Sequence, residues 1–181
     1  MEQSLEKTLA VLERTPAALD AMLRGLPEEW TRGNEGEGTW SAFDVVVHLA
    51  NCDDVEWVPR ARMILESQDG EVRQFAPFDR FAAIEENRSR PLVEMLDEFA
   101  RVRSESLATV RGWRLGPEQL QRLGRHRALG EVTLSVLMAT WVAHDLTHLH
   151  QISRVMAHQY REAVATWIRF IGVMHCNAHG A

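Results

Sequence analysis

The chain has 181 residues, 45% of them apolar and 25% charged, a length and mixture that can bury a sizeable core and that exclude a disordered segment. Its formal net charge is -6, with arginines scattered among acids, so no basic surface for neutralising phosphates can be read and nucleic acid is excluded as the expected partner. The two cysteines, Cys52 and Cys176, belong to no CxxC or CxxH pattern and form neither a disulfide framework nor a zinc finger. The opening MEQSLEKTLAVLERTP carries acids among its apolar positions, which speaks against a signal peptide or membrane span and for a cytoplasmic protein with no membrane partner.

Leu5, Leu9, Leu12, Leu19 and Leu23 recur at helical spacing and define a first helix, kinked or restarted at Pro16. After the Gly-rich stretch TRGNEGEGT, Ser41 and Asp44 form a variant capping box, and Trp40 with Val45 supplies the matching hydrophobic staple. A second helix therefore starts at Ser41 and runs to about residue 67, bending at Pro59. DRFAAIEEN fits a short connecting helix. Pro91 opens a third long helix, marked by Leu92, Met95, Leu96, Phe99, Leu107 and Val110 and stopped at Gly112. The segment GRHRALG reads as a loop leading to a fourth helix from Thr133 to about residue 160. Val164, Trp167, Phe170, Ile171 and Met174 suggest a short amphipathic tail helix, with HCNAHGA trailing from it. No convincing strand or repeat is present. The expected architecture is a single all-α domain spanning 1–181, a four-helix bundle with long connections and a short C-terminal helix, its topology left open by the length of those connections.

Chemistry concentrates on three histidines. On a helical wheel His144 and His148 fall about 40° apart on the arc of Leu137, Trp141, Ile152 and Val155, so both point into the core, whereas His150 falls on the polar side. An HxxxH pair alone is more often a hydrogen-bonded core pair than a metal site. His48 changes the weighting: it lies on a face of the second helix with Val45, Cys52, Val55 and Met63, making three inward histidines. Burying several neutral imidazoles without partners is costly, and one shared divalent transition metal satisfies a nitrogen on each. Three neutral nitrogens with a position left open is the donor set of a catalytic site, and zinc or nickel suits it. HDLTH resembles both the HExxH of zinc proteases and the HD pair of phosphohydrolases, but Asp145 is a methylene shorter than the protease glutamate and no later aspartate follows. The Glu-x-x-His motifs of a di-iron bundle are missing.

Two neighbours are candidates for the chemistry. Glu56, about 80° from His48, is placed to act as general base or as a hydrogen-bond partner of the site, with a surface ion pair as the plain alternative. Gln151, about 20° from His144, can hold a bound water or steady a ligating histidine. Asp145 reads as a cap or helix contact, or as acceptor for an imidazole N–H. Cys52 reads as a small buried hydrophobe before it reads as a ligand or nucleophile. His126 sits in a loop that can approach the site mouth. Of the tryptophans only Trp141 lies on the metal-bearing arc, where it can wall the pocket.

GTWSAFDVVVHLANCDDVEW followed by TLSVLMATWVAHDLTHLHQISRVM resembles the DinB/YfiT-like superfamily of metal-dependent enzymes over nearly the whole chain. The resemblance implies that His48, His144 and His148 bind zinc or nickel. It also implies a reaction on a small-molecule substrate, either thiol S-transfer with a low-molecular-weight thiol cosubstrate or hydrolysis, and a homodimer, as family members often form. A non-catalytic metal-binding or sensing protein is the competing expectation.

Overall fold

The computed structural model describes residues 4–68 and 70–176. Of the kink or restart expected at Pro16 the structure shows the restart: α1 (Leu5–Leu12), capped by the Ser4 hydroxyl, is followed by α2 (Thr15–Leu23), whose first turn holds the proline. A single turn, α3 (Glu28–Thr31), precedes the Gly-rich stretch. The expected capping box is present: Ser41 accepts from the Asp44 amide, Asp44 accepts from the Ser41 amide, and α4 (Ala42–Cys52) begins there. It continues through one π-helical turn (Asp53–Trp57) into α5 (Val58–Glu66). Pro59 has no N–H for the carbonyl four residues back, and the wider turn lies just before it. After α6 (Ala82–Asn87), Pro91 caps the long α7 (Leu92–Gly112). A short α8 (Pro117–Leu120) leads through the hairpin described below to α9 (Leu134–His158), capped by the Thr133 hydroxyl.

The helices form the expected all-α bundle. Strong contacts run between α4 and α7, α4 and α9, α1 and α9, and α2 and α7, so the order around the bundle is first, third, second, fourth helix. Two of the three connections, first to second and third to fourth, must therefore cross a diagonal and cannot be tight turns. Two apolar clusters fill the interior. One joins Leu19, Leu23, Phe43, Val46, Leu96, Phe99 and Ile152; the other joins Leu9, Leu12, Trp57, Ile64, Leu107, Leu137 and Trp141. A polar plug, described below, lies between them.

Two expectations fail. GRHRALG is no plain loop but the centre of a β-hairpin, β1 (Leu123–His126) antiparallel to β2 (Gly130–Thr133), with Leu123 opposite Thr133. Gly130 closes its turn at φ 78°. At Gly124 the Phe75 ring and Ile64 approach so closely that a Cβ would meet them at 2.5 to 2.8 Å, and Arg125 exchanges backbone hydrogen bonds with Arg73 and Phe75. The tail is not an amphipathic α-helix. It forms two 3₁₀ turns (Ala165–Phe170 and Gly172–His175), with Trp167 and Phe170 largely exposed and packed on each other. His179 of the HCNAH segment lies outside the described residues. Among the described residues no helix is long and apolar enough to cross a membrane.

Candidate metal centre

The capping box sets where α4 begins and therefore where His48 points, into the bundle toward α9. His148 follows His144 by four positions of α-helix, which sets their rings edge-to-face on the same side with 4.3 Å between centres. The three side chains meet: His144 Nε2 lies 3.1 Å from His48 Nε2 and 3.1 Å from His148 Nε2. Among the described residues these are the three that bring metal-binding atoms together in this way. His48 and His148 are buried and His144 is nearly so.

Burial fixes their charge. It pushes His48 down to about 3, helped by His148 and Arg80, and His144 down to about 2, helped by its two histidine neighbours and Arg103. His148 is lowered by the same burial, with its bond to Gln151 and the Asp145 charge working the other way. All three rings are therefore neutral at neutral pH, the form that donates a lone pair.

Tautomers decide whether hydrogen bonds alone can explain the cluster. Gln151 Oε1 stands 2.7 Å from His148 Nδ1 and can only accept, so the His148 proton is on Nδ1 and its Nε2 carries a bare lone pair. A proton on His144 Nε2 can serve one neighbour, which leaves the third ring nitrogen facing the cluster without use for it. His144 Nδ1 is meanwhile buried with no partner. A tetrahedral zinc with Zn–N bonds near 2.0–2.1 Å sets its ligand nitrogens about 3.3 Å apart, close to the spacing seen, and uses every converging lone pair. The residues fit a divalent metal.

The walls are aromatic. Trp40, the residue before the cap, lies 4.8 Å from His48 and 6.1 Å from His148 between ring centres, and Trp57 lies 5.1 Å from His144 edge-on. Phe78 closes the side at 5.8 Å from His48. Trp141, expected to wall the pocket, sits one layer back: it stacks on Trp57 at 6.0 Å and donates its Nε1–H to Asp53. The π-turn produces this exchange, because it rotates Asp53 and Trp57 inward and leaves Val55, expected on the inner face, about half exposed.

Of the two chemical candidates, Gln151 touches the site through His148. Glu56 is next to Cys52, whose thiol is 3.4 Å from His48 Nε2, and its carboxylate is bound by Arg60 in a largely buried ion pair. Burial and the Glu56 charge push the Cys52 thiol far up, which keeps it protonated in the metal-free protein. His126 does not reach the site; its ring accepts from the Ala128 and Leu129 amides and steadies the hairpin turn.

A polar group that no motif flagged lies behind the tripod. The Arg103 guanidinium is wholly buried, pairing with Asp53 at 2.6 Å and with Asp145 at 2.5 Å and donating to the Leu12 carbonyl; Thr15 donates to Asp145 at 2.6 Å. Of the roles expected for Asp145, cap, helix contact or imidazole acceptor, it makes the helix contact, joining α9 to α2 and α7. The signal was present in the third helix, where Arg103 interrupts the stripe Phe99, Leu107, Val110: an arginine on an apolar face requires a buried anion. Burial pushes Asp53 up to about 6 against the pull of Arg103.

Crossed connections and a three-histidine centre spanning the second and fourth helices define the class: a helical bundle with a candidate metal centre. The sequence pattern of the DinB superfamily matches residues 11–152, and the chain belongs to that superfamily. YfiT from Bacillus subtilis, described as a probable metal-dependent hydrolase with an unusual four-helix bundle topology, shares the fold with a TM-score of 0.74 at 22% identity, over 90% of this chain and 91% of that one. No curated protein matches the chain.

Proposed function

We propose that the protein is a metal-dependent enzyme that activates a nucleophile, water or a low-molecular-weight thiol, for attack on a small electrophilic molecule in the cytoplasm. The observation that carries this reading is the tripod itself: three neutral imidazoles converge and no fourth protein ligand joins them among the described residues, the donor set that leaves a position for a reactant. Zinc or nickel bound there supplies Lewis acidity, which brings a nucleophile into being near neutral pH.

The chain's own residues divide the remaining work. His48, His144 and His148 are the ligands. Gln151 is a positioning residue, since its carbonyl takes the His148 Nδ1 proton and so aims Nε2 at the centre. Glu56 accepts the proton of the incoming nucleophile, with Arg60 fixing its carboxylate beside Cys52. Trp40, Trp57 and Phe78 exclude bulk water and offer apolar faces to the electrophile.

The test is turnover by metal-loaded protein with an electrophilic small molecule, with and without a low-molecular-weight thiol, and separately with ester and amide substrates. Turnover that requires thiol assigns S-transfer, and turnover without it assigns hydrolysis. Glu56→Gln is expected to lower kcat about a hundredfold with metal content unchanged. Full activity in that variant removes Glu56 from the proton path, and absence of any turnover leaves the competing reading, a protein that binds or senses metal.

A further inference from the structure

Behind the tripod, Asp53, Arg103 and Asp145 make a cluster with two carboxylates and one guanidinium, all three side chains at most 1% exposed. A structural ion pair would be neutral. Here every carboxylate oxygen has a donor, from Arg103, Thr15 or Trp141, but Arg103 is the one cation among them, so a formal charge of −1 stays buried without its own counterion. Burial makes such a surplus costly.

The opposite surplus lies one residue away. A dication held by three neutral imidazoles keeps its full charge in a buried site, and Asp145 directly follows the ligand His144 in α9. Trp141, bonded to Asp53, stacks on Trp57, which packs on His144. The other charges nearby do not supply this compensation: Glu56 and Arg60 neutralise each other, and Arg80 is an exposed cation.

We infer that the Asp53–Arg103–Asp145 cluster is the electrostatic counter-charge of the metal centre, raising the affinity of the three neutral histidines for a dication through its net negative charge. The inference rests on the reading of the tripod as a metal site. It makes affinity depend on the sum of the cluster's charges, and it makes metal binding relieve the cost of burying that sum.

The experiment is titration of metal-free protein with Zn(II) and Co(II) against a chromophoric chelator, with the Co(II) absorption spectrum as a reading of ligand geometry and chemical denaturation as a reading of folding. Asp53→Asn keeps an acceptor for Trp141 and Arg103 and takes the cluster from −1 to 0; it is expected to bind metal at least tenfold more weakly with an unchanged Co(II) spectrum. The double variant Asp53→Asn/Arg103→Gln returns the cluster to −1 while dismantling its hydrogen bonds, and is expected to regain most of the lost affinity. Should the double variant not fold, the single variant decides alone. Unchanged affinity in folded Asp53→Asn overturns the counter-charge and leaves the metal site standing. An altered Co(II) spectrum with the loss overturns it in favour of displaced ligands. A wild type that binds neither ion overturns the metal reading and this inference with it.

Discussion

Gln151 has one carbonyl oxygen to offer, and that oxygen determines which nitrogen of His148 faces the centre. Gln151→Ala removes the acceptor, lets the imidazole change tautomer or rotate, and is expected to weaken metal binding by about 10–100-fold while the helix stays folded; a titration showing wild-type affinity would assign Gln151 to packing. The histidines themselves give the metal-free protein a characteristic response to acid. His48 titrates near 3 and His144 near 2 in the folded state, against about 6.5 when unfolded. Between those values the unfolded chain binds up to two protons that the native state refuses, so stability is present in full above about pH 6.5 and falls as pH drops, by up to about 2.7 kcal/mol per unit. Denaturation midpoints measured from pH 7.5 to 5 check this, and a flat profile would show that the rings are solvated. At this scale the sequence was informative for the three histidines, because each lies on an apolar stripe where an imidazole needs a reason. It was silent on Asp53, because a helical wheel with 100° steps places Asp53 and Trp57 away from His48, and only the π-turn brings them in.

Elements were legible where caps and long periodic stripes agree. Ser41, Pro91 and Thr133 each start a helix at the expected place because a hydroxyl or a proline resolves the unpaired first-turn amides. The hairpin escaped because its strands are four residues each, too short to show alternation, and because its position is fixed by a tertiary contact: Gly124 lies flat against Phe75 and Ile64. Gly124→Val forces both neighbours apart and is expected to destabilise the fold by about 1–3 kcal/mol; an unchanged denaturation midpoint would mean that the close approach is not kept in solution. The tail misled for the opposite reason. Its apolar residues suggest a buried stripe, yet Trp167 and Phe170 pair with each other outside the core.

For the whole molecule, the order of helices around the bundle places the second beside the fourth, and this adjacency is what brings His48 to the HxxxH pair. Nothing in the periodicity of the separate helices specifies that order; the sequence expectation of long connections was compatible with it but did not select it. The same adjacency seats Arg103 of α7 between Asp53 and Asp145, so the first, second, third and fourth helices all meet at one charged plug behind the tripod. The central claim is that this arrangement binds a metal. It is tested most directly by elemental mass spectrometry of protein purified without a His-tag or added metal, for wild type and for His48→Ala, His144→Ala and His148→Ala. The expected result is about one zinc or nickel per wild-type chain, lost in each variant while the helical content is kept; a wild-type protein free of metal, with variants that fold as well or better, would contradict it.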